Sequence, residues 1–321
     1  MKLYPLKLKP AVKEIIWGGD KLKTDYNKSA PFEKLAESWE LTVRPDGMNI
    51  IENGECAGMT LGDYLEPLLI GKNYNGDRFP LLIKFIDARD RLSIQVHPSD
   101  EYAMKNEGEY GKTEMWYIVE AEEGAELVFG LNNENGEEYS KEIFDRAVES
   151  GRVESLLHRV KVHPGDVYFI PSGLVHAIGS GILICEIQQN SNVTYRVYDY
   201  NRPGKDGKPR ELHVAKAREV IVNYSPAQLE SLRFSGNADI TPELLATCDK
   251  FTVHKYEIAG ERSLTVSDES FVSLTFTSGS GEIICGGESY KFEKGDTYFL
   301  PAGLGKIDIR SADAVCVAAE I

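Results

Sequence analysis

Short runs rich in Val, Ile, Tyr and Phe, separated by Gly, Pro and Asp, recur along most of the chain: Ser38–Val43, Leu81–Phe85, Leu92–Val96, Met115–Val119, Val167–Ile170, Ile182–Ile187 and Val193–Tyr198. Segments of this length and composition, set between turn-forming residues, predict the strands of an all-β sandwich or barrel. Helical periodicity is rarer. Thr60 has the form of an N-cap for a helix over Leu61–Leu69. Tyr139, Ile143, Phe144, Ala147 and Val148 share one helical face that Gly151 would end, and a second apolar cluster, Val153 to Leu157, extends this helical insert over residues near 137–158.

The strand pattern contains an internal echo. Gly165-Asp166-Val167-Tyr168-Phe169-Ile170-Pro171-Ser172-Gly173-Leu174 returns 130 residues later as Gly295-Asp296-Thr297-Tyr298-Phe299-Leu300-Pro301-Ala302-Gly303-Leu304. Two related β-units are therefore expected. In the first copy the pattern runs on to Val175 and His176, and in the second to Gly305 and Lys306, so the second copy is expected to hold no metal. Glu114 before Met115–Val119 aligns loosely with Glu269 before Ser270–Leu274. The polar stretch Asn223 to Lys250, with Ser225-Pro226 and Thr241-Pro242 as helix-entry signals, sets the expected division: an N-terminal domain over 1–225, and a linker with a C-terminal domain over 226–321.

Composition narrows the possible partners. The 321 residues are 42% hydrophobic and 27% charged, enough for a substantial core, with a formal net charge of −15. That charge argues against nucleic acid and anionic membranes as partners, and it requires a local basic cluster for any anionic substrate. Cys56, Cys185, Cys248, Cys285 and Cys316 are odd in number and scattered, which argues against a disulfide framework and a thiolate zinc site. No apolar run approaches the ~20 residues needed to span a bilayer. A cytoplasmic protein is expected, with its oligomeric state left open.

The chemistry concentrates in one constellation. Gly165-x5-Pro171-x-Gly173-x2-His176 brings a strand into a tight turn and out again with one imidazole aimed inward, in the form of the second cupin motif. Alone, His176 could be a structural histidine. Gln95 and His97 share one face of an earlier strand with Ser93, because side chains alternate with period two, and Glu114 opens the strand Met115–Val119. Two imidazoles, a carboxylate and an amide oxygen suit a zinc ion, one per chain, with a position open for water or substrate. Gln95 could instead hydrogen-bond a ligand from behind. Glu186 stands in an otherwise apolar strand and must be paired, coordinating or neutral. Arg196, Arg202 and Lys112 form a phosphate pocket if they converge.

Ser93-Ile94-Gln95-Val96-His97-Pro98, Lys112-Thr113-Glu114-Met115, Phe169 through Ala177, and Glu186 through Arg196 resemble the ordered motifs of type I phosphomannose isomerases, as does Ile16-Trp17-Gly18-Gly19 near the N-terminus. The resemblance implies a β-dominated double-cupin (jelly-roll) architecture with a few helical insertions. It implies zinc at Gln95, His97, Glu114 and His176, a catalytic Arg196, and substrate contacts from Ser93, Lys112 and Glu186. The implied reaction interconverts mannose 6-phosphate and fructose 6-phosphate through a cis-enediol, with a phosphorylated hexose as partner. Thr113 stands where the family commonly has proline, and Arg202 where a phosphate-binding lysine is usual. The short interval from Glu114 to His176 matches the compact bacterial form. Two other readings use the same residues: an iron(II) oxygenase with a two-histidine, one-carboxylate triad, and a sugar-binding cupin without turnover.

Overall fold

A computed structural model describes residues 2–132, 141–204, 207–233 and 243–321. The chain is mostly β, in curled antiparallel sheets, as the pattern of short apolar runs requires. It divides into two compact units: Ile15–Gly19 with Ile86–Asn237, and Met1–Glu14 with Asp20–Phe85 and Ala238–Ile321. This differs from the expected boundary at 225/226. The reason is register: the strand Leu6–Lys9 pairs antiparallel with Thr297–Leu300, Leu6 opposite Phe299, so N-terminal residues complete the C-terminal sheet.

In the unit that contains residues 86–237, one sheet orders Val167–Ile170, Glu114–Ala121 and Ile182–Gln189, and a second orders Tyr195–Tyr198, Ile94–Val96, His176–Ile178, Glu126–Leu131 and Leu157–Lys161. Ile94, Val96, Ala177, Tyr195 and Val197 belong to one core cluster with Phe144, Val153 and Ala217, so the helices Lys141–Glu149 and Val214–Val220 cover the outer face of the second sheet. The helical insert thus serves to bury that face. Its expected start, with Tyr139, lies outside the described residues. The polar residues Ser93, Gln95 and His97, which alternate with Ile94 and Val96, are left on the other face.

The other unit builds a nine-stranded sheet around the long strands Thr252–Val266 and Gly305–Glu320, with a core that includes Leu274, Phe276, Tyr298 and Ile309. The sequence echo reappears here as geometry. His163 N–H donates to Asp166 Oδ2 and Glu293 N–H to Asp296 Oδ2, each at 2.9 Å, around glycines at φ +93° and +95°. Tyr168 and Tyr298 hydroxyls donate to the carbonyls of Lys161 and Lys291, again 130 residues apart. The register corrects one alignment. Ile170 pairs with Glu114, whereas Leu300 pairs with Val272, so Val272 rather than Glu269 occupies the carboxylate's place.

One local expectation also changes. Thr60 caps a helix through Asp63 N–H, but the helix ends at Tyr64, and a second one, Pro67–Ile70, starts with Pro67 at its first position. Proline removes the N–H donor that a continuous helix would need there and biases Glu66 toward extended backbone. Ser225 forms a capping box with Gln228 at the helix Pro226–Ser231, as expected, and Thr241-Pro242 lies outside the described residues.

Candidate active site

Ladder register carries the distant motif residues to one place. In the second sheet Arg196 lies opposite Gln95, Gln95 opposite His176, and His176 opposite Phe129, a single row across four strands. In the first sheet Glu114 lies between Ile170 and Gln188, and Trp116 between Tyr168 and Glu186. Directly opposed residues point to the same face, so Glu114, Trp116, Glu186 and Gln188 form one inward group.

His97, Glu114 and His176 meet at the centre of this arrangement, fully buried, with ligand atoms all within 4.8 Å of one another. No other group of this kind occurs among the described residues. His176 Nε2 stands 3.4 Å from Glu114 Oε1, and His97 Nε2 3.7 Å from Glu114 Oε2. Each imidazole is oriented from behind: His97 Nδ1 lies 2.9 Å from the Val193 carbonyl and His176 Nδ1 2.8 Å from that of Leu174. A carbonyl can only accept, so both Nδ1 atoms carry the proton. Burial lowers the His176 pKa to about 4, which keeps this ring neutral. The two Nε2 atoms face each other across 3.1 Å. The Gln95 amide lies 3.3 Å from His176 Nε2, within reach of the same centre.

The loop that delivers Glu114 is bolted in place. Gly111 N–H donates to Asp100 Oδ1 at 2.8 Å, Lys112 N–H to the Pro98 carbonyl, and Thr113 N–H to Gln189 Oε1 at 2.9 Å. Gln189 Nε2 closes the circuit on Asp100. Thr113 thus makes a bond that proline, lacking an N–H, could not. A Cβ on Gly111 would sit 2.4 Å from Asp100 N and from Ser99 C, backbone atoms that cannot yield alone. Gly111→Ala is expected to lower stability by about 1–3 kcal/mol in urea unfolding and to reduce activity more than heat stability alone explains, because Lys112 and Glu114 shift with the loop.

Lys112 is buried, with its ammonium 2.6 Å from Glu114 Oε2 and 3.8 Å from Glu186 Oε1. It sets a cation beside two carboxylates at the candidate metal centre. A third guanidinium, Arg210, stands beside Arg196 and Arg202. Arg196 Nε donates to Ser93 Oγ at 3.3 Å and its Nη1 to the Glu211 carbonyl. Burial, then Arg210, hold the Arg196 pKa below its ordinary value. Asp199 accepts from Arg202 Nη2 and from both Nε and Nη2 of Arg210 at 2.6–2.7 Å. Burial works to raise the Asp199 pKa, but the bonds from Arg210 and Arg202 outweigh it and hold it below the usual value. Tyr200 and Asn201, both at positive φ, make the turn that folds Arg202 back onto Asp199, and the Arg91 guanidinium stacks 3.5 Å from the Tyr200 ring centre.

Sequence reasoning singled out the ligand group, Ser93, Glu186 and Arg196, and the structure gathers them. It missed Trp116, Asp199 and Arg210. Asp199 and Arg210 form a charge pair eleven positions apart, and Trp116 reads as an ordinary core aromatic; pairing alone reveals their place.

These features define the class: a cupin barrel with a candidate metal centre on its inner face and an arginine cluster beside it. The chain belongs to the type I phosphomannose isomerases. Residues 5–139 match the family model "Phosphomannose isomerase type I, catalytic domain", and residues 241–318 match "Mannose-6-phosphate isomerase, cupin domain". It is 41% identical to mannose-6-phosphate isomerase ManA of Bacillus subtilis (strain 168), covering 100% of both chains. It is 37% identical to the mannose-6-phosphate isomerase of Streptococcus mutans, covering 92% of each. The crystal structure of the mannose 6-phosphate isomerase from Bacillus subtilis superimposes with a TM-score of 0.85 at 36% identity, covering 98% of this chain and 99% of that one. His176, Glu186 and Arg196 lie outside both matched segments.

Proposed function

We propose that the chain interconverts mannose 6-phosphate and fructose 6-phosphate with one zinc ion, held by His97, Glu114 and His176, and with Gln95 at the edge of the coordination shell. The observation that carries this reading is the pair of imidazole Nε2 atoms facing each other at 3.1 Å, both rings bound through Nδ1–H to carbonyls. Without a proton between them, this arrangement suits a cation. Two nitrogens each ~2.0–2.1 Å from a tetrahedral zinc stand about 3.3 Å apart, close to the spacing here. The donor set fits the metal.

Bound zinc supplies Lewis-acid stabilisation of negative charge on the sugar oxygens. The protein's own groups do the rest. The open-chain substrate passes through a cis-enediol as a proton moves between its first two carbons. Glu186, buried between Trp116 and Lys112, is assigned the proton transfer, either at carbon or among the hydroxyls. Arg196 stabilises the enediolate oxygens, with Ser93 fixing its Nε. Arg202 and Arg210 provide the basic side of the phosphate site, and Lys112 sets a cation beside both carboxylates. No helix among the described residues is long and apolar enough to cross a membrane, and all five cysteines are free thiols. A reducing cytoplasm, with neither nucleic acid nor membrane as partner, suits such a chain.

A coupled assay following fructose 6-phosphate formation from mannose 6-phosphate tests the reading. Turnover abolished by a chelator and restored by zinc, indifferent to oxygen, supports it. Oxygen-dependent turnover restored by iron(II) would identify an oxygenase, and sugar binding without turnover a lectin-like module.

A further inference from the structure

Among the described residues Trp116 is the largest side chain that is fully buried, and it lies two positions from Glu114 on the same inward face. Its surroundings are not those of a core filler. Its Nε1–H donates to Glu186 Oε2 at 2.9 Å, from the position directly opposite in the ladder. Its ring meets the His176 imidazole edge-on, with centroids 5.4 Å apart at 76°. Tyr168 flanks it on the other strand. An indole has a single donor and no acceptor, and only two side-chain torsions, so at a packed position it holds a partner rigidly. A buried carboxylate that accepts one fixed bond has one oxygen committed. The other, Glu186 Oε1, faces the Lys112 ammonium at 3.8 Å.

We infer that Trp116 is a positioning residue for the isomerisation: its N–H fixes Glu186 through Oε2 and leaves Oε1 as the oxygen that handles the substrate proton, while its ring edge sets the plane of His176. This rests on the reading of Glu186 as the proton-transferring carboxylate. Isomerisation by proton transfer needs that oxygen within hydrogen-bond reach of the reacting group, and a carboxylate free to turn would spend most of its time elsewhere. The position therefore requires a rigid donor as well as bulk. Phenylalanine would supply the bulk alone.

Trp116→Phe keeps a ring beside His176 and removes the N–H. The expected result is a fall in kcat of about tenfold or more, with KM and bound zinc within twofold of the parent protein. A packing role would instead lower thermal stability and leave kcat unchanged, and that result overturns the inference. The decisive comparison adds Glu186→Gln and the double variant. If Trp116 acts through Glu186, the double variant is no slower than Glu186→Gln alone. Losses that multiply overturn the inference and leave the reading of Glu186 intact. Full turnover in Glu186→Gln overturns that reading and this inference together. Should Trp116→Phe fail to fold, benzothienylalanine placed at position 116 by nonsense suppression removes the N–H at nearly constant shape, and the same comparison applies.

Discussion

Glu114→Gln leaves the chain folded but without zinc, and isomerase turnover falls to the level of the chelator-treated parent. The substitution keeps shape and removes charge. Glu114 is buried, faces both histidines, and is 2.6 Å from the Lys112 ammonium. A neutral amide there leaves Lys112 as a cation beside the ligand group, with its closest counter-charge gone. Breaking a buried charge pair on one side costs about 3–5 kcal/mol. Part of that appears as lost stability and part as lost metal affinity, which is expected to drop more than about a hundredfold. Urea unfolding measures the first effect, and elemental analysis after dialysis against buffered zinc the second. Retention of stoichiometric zinc by Glu114→Gln would remove the carboxylate from the ligand set.

Arg196→Ala separates chemistry from metal binding. Arg196 lies across Gln95 from His176, and its guanidinium is held by Ser93 and the Glu211 carbonyl without touching Glu114 in the contacts described above. Loss of one fixed donor to a developing oxyanion typically costs ~10²–10³ in kcat. A fall of that size is expected, with zinc content and unfolding midpoint close to those of the parent. Equal losses of turnover and zinc would show that Arg196 supports the fold of the site.

The parts of this site visible in the sequence were those set by local rules. The turn before Val167–Ile170 needs Gly165 at positive φ and Asp166 to accept His163 N–H, and the strand has the expected bounds. Alternation placed Ser93, Gln95 and His97 on one face before any register was known, because period two follows from the pleat. Properties that depend on pairing were not legible. The match of Glu269 with Glu114 is loose in the sequence, and the ladder replaces it by setting Val272 opposite Leu300, where Glu114 is opposite Ile170. The strand Leu6–Lys9 gives no local sign that Thr297–Leu300 is its partner, so the contiguous division at 225/226 missed that the N-terminal segment completes the second sheet. Arg210 reads as a loop charge until Asp199 is seen to bind it, and Trp116 as core until its N–H is traced to Glu186. In each case the missing information is which residues lie across from one another.

Isomerisation at this site requires two imidazoles and one carboxylate to grip a single cation. Anomalous diffraction from crystals of the zinc-loaded protein, recorded above and below the zinc edge, tests this most directly. One strong peak per chain, within bonding distance of His97 Nε2, His176 Nε2 and a Glu114 oxygen, is the predicted result. A peak at other residues, or none in catalytically active crystals, would contradict it.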